Sequence, residues 1–199
     1  MRHLLLIALL ACDAHASPKE VLVGGPCEGC EYVFEGRPAK LASQARIAPA
    51  NEPGEPLVID GVVRDAKKRP VVGVIVYAYQ TNAAGKYPPG KTRHGALRAF
   101  ALTGKDGAYR FETIRPASYP KSDIPQHVHM HVVETGKCHY VIDDIVFTDD
   151  PMLTPAQRKA HEHGRGGVGV ATPSREKQVW RVRRDITLGA GISDHDRCR

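Results

Sequence analysis

Tyr119-Pro120-Lys121-Ser122-Asp123-Ile124-Pro125-Gln126-His127-Val128-His129-Met130-His131 is the stretch on which the reading turns. Successive side chains of an extended strand point to opposite faces, so His127, His129 and His131 share one face while Val128 and Met130 take the other. Val128 and Met130 suit a core, and three imidazoles on the other face of the same strand form a metal-ligand pattern. The plain alternative is a solvent-facing strand edge whose histidines are incidental. Upstream, Pro120 holds Tyr119 near the extended region, where packing is its plain local reading.

Outward from this strand the chain reads as short strands at regular spacing. Leu57 to Val63, Val71 to Gln80, Arg98 to Thr103 and Ala108 to Thr113 are rich in Val, Ile, Tyr and Phe and are bounded by turn-forming clusters. Asp106-Gly107 between two such runs predicts a hairpin. His127 to Glu134, Tyr140 to Phe147 and Val179 to Thr187 add three more. With 19 Gly and 15 Pro in 199 residues, the composition favours a turn-rich chain. The expected fold is all-β: an antiparallel β-sandwich of about seven or eight short strands, with long loops and little helix. Loops then gather at the sandwich ends, where sites usually lie. One short helix is predicted from Thr154 to His163. The glycine run Gly164 to Gly169 lacks the Lys-Ser/Thr and flanking strand and helix of a phosphate loop, and reads as an active-site loop or linker.

The ends of the chain carry an address and a redox signature. Arg2 and His3 precede an apolar run from Leu4 to Ala11, and Ala14-His15-Ala16 fits a small-x-small cleavage site, so residues 1–16 read as a secretory signal peptide. Leu9-Leu10-Ala11-Cys12 also fits a lipoprotein box, with Cys12 lipid-anchored to a membrane. Either way the expected location is exported, periplasmic or extracellular. Removal of the signal leaves Cys27, Cys30, Cys138 and Cys198, an even number in an oxidising setting, for which disulfides are the default. Cys27-Glu28-Gly29-Cys30 reads as a local disulfide, with a redox motif or half a zinc site as alternatives; a Cys138–Cys198 bridge tying the C-terminal tail to the strand after the histidines is one option for the other two, and the sequence leaves the connectivity open. Residues 17–53 read as an arm without chemistry of its own, packed on the main domain, residues 54–199, or on a neighbouring subunit. The net charge of +6 lies mostly in the tail and suggests attraction to anionic substrates or an envelope. No nucleic-acid motif is present.

Tyr87 in Tyr79-Gln80-Thr81-Asn82-Ala83-Ala84-Gly85-Lys86-Tyr87-Pro88-Pro89, the run Thr103-Gly104-Lys105-Asp106-Gly107-Ala108-Tyr109-Arg110-Phe111, then Thr113-Ile114-Arg115-Pro116-Ala117-Ser118-Tyr119-Pro120 and the Pro-x-His-x-His of residues 125–129 arrive in a definite order. That order resembles the catalytic domain of the intradiol ring-cleavage dioxygenases, the catechol and protocatechuate dioxygenase family, over roughly residues 54–151. The resemblance implies a non-haem Fe(III) cofactor held by Tyr87, Tyr119, His127 and His129; His131 has no counterpart among those ligands. Two phenolates and two neutral imidazoles suit a hard trivalent ion and leave room for solvent or substrate. It further implies that a catechol-type diol and O2 are the small-molecule substrates, that the ring opens between the hydroxylated carbons to a muconate-type diacid, and that Tyr119 and Tyr87 are the catalytic tyrosines, Tyr119 departing from the metal and acting as base. A homodimer is expected on the same analogy.

Two positions depart from the family pattern. Ile124 stands where an arginine precedes the first ligand histidine by three residues, and Asp144 where a glutamine is expected; Arg93, Arg98 or a tail arginine are the candidates to replace the missing cation. Three functions follow: an exported intradiol dioxygenase, an iron-binding envelope protein of the same fold without ring cleavage, and a β-sandwich surface-binding module with incidental histidines. The low aromatic content, with Trp180 the only tryptophan, disfavours the third.

Overall fold

The computed structural model describes residues 20–27 and 29–199; the signal peptide expected at residues 1–16 and the lipid anchor expected at Cys12 fall outside the described residues. The described chain forms strands β1 (Val21–Leu22), β2 (Gln44–Arg46), β3 (Pro56–Arg64), β4 (Val74–Tyr79), β5 (Arg98–Leu102), β6 (Ala108–Ile114), β7 (His127–Glu134), β8 (Cys138–Phe147), helix α1 (Pro155–Glu162), and strands β9 (Val170–Ala171), β10 (Ser174–Glu176), β11 (Val179–Arg183) and β12 (Ile186–Thr187). Two sheets face each other. One runs β1-β8-β7-β4-β5 with β9 also on β8, and the other β10-β11-β3-β6-β2 with β12 also on β3.

The sandwich follows from alternation. Along β3 buried and half-exposed residues alternate strictly after Pro56, and Leu57, Ile59 and Val63 enter the core with Tyr109 and Phe111 of the paired β6. From the facing sheet come Val74, Val76 and Ala78 of β4 and Val128, Met130 and Val132 of β7. Each such fully buried Leu, Ile or Phe stabilises the fold by about 1.5–3 kcal/mol. The residues between them on β4 and β7 face outward: Ile75, Tyr77 and Val133 form a second apolar cluster with Phe100 and Val33. Val33 belongs to a 3₁₀ turn, Cys30–Phe34, which covers that outer face. The sheet that carries the histidines is therefore buried on both sides. That is why Val-Ile-Val-Tyr-Ala of β4 is an unbroken buried run.

Residues 20–53 contribute to both sheets, since β1 pairs in parallel with β8 and β2 with β6. Two expectations change. Asp106-Gly107 does form a tight turn, with Gly107 at φ 72° and its N–H donating to the Gly104 carbonyl, but β5 and β6 belong to different sheets. The turn chemistry specified a reversal, and the partners were decided by burial: both edges of β6 are taken, by β3 and β2. The run Val179 to Thr187 is not one strand. It breaks at Arg184-Asp185, where the Arg184 side chain, 1% exposed, turns inward and donates to the carbonyls of Gly166, Asp185, Asp143 and Arg165. The glycine run 164–169 is thus pinned by a buried guanidinium, and it does not line the cavity described below. Helix α1 begins at Thr154, whose hydroxyl accepts from the Gln157 N–H while the Gln157 side chain accepts from the Thr154 N–H, a reciprocal cap.

Candidate metal centre

His127, His129 and His131 do share a face of β7, the outer one, opposite Val128 and Met130. Between Val128 and Met130 the pairing with β8 slips, so that Asp143 and Asp144 together oppose His129. Such a bulge re-aims the side chains around it. Here the Asp144 carboxylate lies 3.1 Å from His129 Nδ1. On His127 the same nitrogen lies 2.7 Å from the Pro125 carbonyl. Both Nδ1 atoms thus donate, and both Nε2 lone pairs are directed at the same point, 3.1 Å apart.

Two loops deliver tyrosines to that point. The Tyr87 loop is folded by Asn82, whose side-chain oxygen accepts from the N–H groups of Ala84 and Lys86. Gly85, at φ 69°, lies so close to the Ser118 carbonyl that a Cβ there would collide with it. This glycine lets the Tyr87 loop and the Tyr119 loop meet. The Tyr87 hydroxyl is 2.6 Å from that of Tyr119 and 2.9 Å from His129 Nε2. The Tyr119 hydroxyl is 3.0 Å from His127 Nε2 and 3.2 Å from His129 Nε2. All four residues named from the sequence therefore converge, two from loops and two from a sheet face rather than all from the sandwich ends.

The donor set fits a metal ion. Atoms bound at right angles to one ion at about 2.1 Å lie about 3 Å apart, the scale of these separations. Two imidazole lone pairs facing each other are unfavourable unless a cation or shared protons lie between them. Burial, reinforced by the nearby His129, holds His127 below the ordinary histidine value, so it is neutral and able to ligate. Burial and the adjacent Tyr119 hydroxyl push the Tyr87 phenol far above its usual value. It becomes a phenolate only with a strong positive charge beside it, which a trivalent ion supplies. For Asp144, burial pushes its carboxyl up, but the hydrogen bond from His129 and the neighbouring imidazoles outweigh it and hold the group below the usual carboxylate value.

The centre opens on a cavity of about 470 Å³. Its walls include Tyr79, stacked on His129 at 4.5 Å and on His94 at 4.0 Å, and His94 in turn bonds the Tyr77 hydroxyl at 2.7 Å. Arg93 lies on the wall, its guanidinium over the Tyr32 ring and bonded to the Tyr32 hydroxyl. Arg98, the other nearby candidate for the missing cation, is turned to the Tyr77 hydroxyl and the Glu35 carbonyl. Ile124 is 44% exposed and is not part of the wall. Sequence reasoning missed Asp144 as the partner of His129, and it missed Cys27 and Tyr32, which bring the N-terminal segment into the cavity wall. Paired acids in an otherwise apolar strand and the alternation Tyr77-x-Tyr79 were the available signals.

A sandwich with two tyrosines and two histidines converging beside a cavity defines a class, and the dioxygenase family model, Dioxygenase_C, matches residues 27–174. The chain belongs to the intradiol dioxygenase family. It is 32% identical over 114 residues to the protocatechuate 3,4-dioxygenase beta chain of Burkholderia cepacia, covering 50% of this chain and 48% of that one. It is 35% identical over 96 residues to catechol 1,2-dioxygenase 1 of Acinetobacter lwoffii, covering 46% and 30%. The chain thus spans half or less of these relatives' length. Among solved structures, catechol 1,2-dioxygenase from Pseudomonas arvilla C-1 superposes with a TM-score of 0.61 at 23% identity, over 84% of this chain and 60% of that one. The dioxygenase domain of a carbohydrate-binding fusion from Streptomyces sp. SirexAA-E gives 0.57 at 22% identity, over 78% and 94%. These likenesses establish the fold.

Proposed function

We propose that the chain is an exported non-haem Fe(III) intradiol dioxygenase that opens catechol-type rings with O2 to muconate-type diacids. The observation that carries this reading is the meeting of two phenol oxygens and two Nε2 atoms at the edge of an open cavity, with Tyr119 and His129 each 2.6–3.2 Å from the other three donor atoms. Tyr87, Tyr119, His127 and His129 would hold the ion. Ferric iron, when bound, supplies a Lewis acid that draws charge from a coordinated diol and sensitises the ring to O2.

The chain's own residues do the rest. Tyr119, with its oxygen in contact with all three other donors, is the group to take a proton from an entering diol at its hydroxyl oxygen. Tyr87, bonded to His129 as well as Tyr119, is the phenolate that stays. Asp144 and the Pro125 carbonyl keep the imidazoles in the ligating tautomer. Arg93 stands on the cavity wall and is the candidate to balance negative charge where Ile124 replaces the expected arginine.

A signal peptide at residues 1–16, or a lipid anchor at Cys12, would export the chain, and its two disulfides suit that destination. Division into an arm at 17–53 and a domain at 54–199, and pairing into a homodimer, belong to the same proposal. The exposed Ile124 favours a second reading, an iron-binding protein without ring cleavage. Oxygen uptake and product absorbance with catechol and with protocatechuate separate the two: equal consumption of diol and O2 with a ring-opened diacid supports the enzyme, and iron binding without uptake supports the second reading. Uptake that survives Tyr87→Phe and Tyr119→Phe unchanged would overturn both.

A further inference from the structure

Two features that the ring-cleavage reading leaves unused, His131 and the Cys27-x-x-Cys30 pair, lie together. One ring nitrogen of His131 and both sulfurs are within 4.8 Å of one another. His131 is 1% exposed and its Nδ1 has no hydrogen-bond partner among the described residues. A buried imidazole nitrogen without a partner is a destabilising feature unless something binds it. The sulfurs are held against it by the protein: Gly29, at φ 76°, turns the chain so tightly against His94 that a Cβ would strike His94 Nε2, and the completely buried Val33 seats the turn on the sheet. His131 is fixed from the other side, paired with Tyr77 of β4 and Val141 of β8. Cys27 and His131 both line the cavity, so a ligand between them is reachable from it.

We propose that Cys27, Cys30 and His131 form a second metal site, separate from the tyrosine–histidine centre, that takes a thiolate-preferring ion such as Zn(II) when the disulfide is reduced. The disulfide accepts two electrons and two protons from a dithiol, which closes to its own disulfide; the two thiols then lose their protons as the ion binds. Two thiolates and an imidazole are a zinc set with a fourth position open, here towards the cavity. Thiolates bound to one zinc ion sit about 3.8 Å apart, so cleavage of the S–S bond is what allows the sulfurs to spread to ligating positions. The other grouping of this kind, Glu134, Cys138, His195 and Cys198, is less suited, because its histidine is already bonded to Glu134 at 2.6 Å.

The site does not depend on ring cleavage and is tested without it. The metal-free full chain is titrated with Zn(II) against a chromophoric chelator, once oxidised and once reduced anaerobically with a phosphine. The reduced protein should take one equivalent more than the oxidised protein. That increment should vanish in Cys27→Ser/Cys30→Ser, weaken at least ten-fold in His131→Gln and persist in Tyr119→Phe. Co(II) in place of zinc should give thiolate-to-cobalt charge-transfer bands in the reduced form alone. The serine pair leaves β7 untouched and keeps the test if His131→Gln fails to fold. No increment, a disulfide that the folded protein never yields, an increment indifferent to His131, or one that follows Cys138→Ser/Cys198→Ser instead would each overturn the proposal.

Discussion

Replacing Asp144 by Asn tests how the protein prepares His129 for a metal. The carboxylate accepts from His129 Nδ1 at 3.1 Å, which leaves Nε2 as the lone-pair atom, and that atom lies within 3.2 Å of Tyr87, Tyr119 and His127. An amide of the same shape either offers its oxygen, a neutral acceptor about half as strong, or its NH2 group, which forces the proton to Nε2 and blocks ligation. Loss of such an orienting partner lowers metal affinity about 10- to 100-fold, or about 1.4–2.7 kcal/mol. The Asp144 side chain is 26% exposed, so solvent screens part of its charge and the lower end is expected. His127 is unaffected, because the Pro125 carbonyl orients it. Fe(III) competition against nitrilotriacetate, read by the tyrosinate-to-iron absorption band, should show about ten-fold weaker binding in Asp144→Asn with an unchanged unfolding midpoint. Wild-type affinity in both Asp144→Asn and Asp144→Leu would refute the argument.

Other consequences are separable from that one. Gly85→Ala forces a Cβ against the Ser118 carbonyl at a left-handed backbone position, so it should abolish the tyrosinate–iron band while far-ultraviolet circular dichroism still reports the sandwich; a full band would show that the two loops need not touch. Cys138 and Cys198, 60 residues apart, close a loop whose release in the unfolded chain is worth about 4 kcal/mol, so urea unfolding of Cys138→Ser/Cys198→Ser should show a loss of that order, and a loss under 1 kcal/mol would contradict it. Burial, aided by the charge of His94, holds His131 down to about 3, against about 6.5 in the unfolded chain. Above pH 6.5 it is neutral in both states; as the pH falls below that value only the unfolded chain gains the proton. Stability of the metal-free protein should therefore decline from about pH 6.5 downward by about 1.4 kcal/mol per unit for this group, and His131→Gln should flatten the urea-derived slope by that amount. An unchanged slope between pH 6.5 and 4.5 would contradict it.

The parts of the fold legible in the sequence are those decided locally. Runs rich in Val, Ile, Tyr and Phe between turn clusters marked β3 and β6, the every-second-residue histidines marked the faces of β7, and Thr154 marked the start of α1, because each depends on a few adjacent residues. The four converging side chains were legible because their types and order carry a family pattern. What could not be read depends on distant partners. The Asp106-Gly107 turn dictates a reversal but not which sheet receives the next strand. The strands of two or three residues, β1, β2 and β9, exist only because β8 and β6 offer edges. Asp144 became the partner of His129 through a bulge, whose register shift the paired acids Asp143-Asp144 hint at but do not specify. Arg184 lies in a strand-like run and gives no local sign that its guanidinium is buried among carbonyls.

The visible spectrum of the iron-loaded chain, before and after addition of catechol without oxygen, tests the central claim most directly. If Tyr87, Tyr119, His127 and His129 hold Fe(III), the protein is red-brown, the band shifts when the diol binds, and it weakens in Tyr87→Phe and in Tyr119→Phe. A protein that stays colourless with one equivalent of iron bound, or whose colour is indifferent to both substitutions, would contradict it.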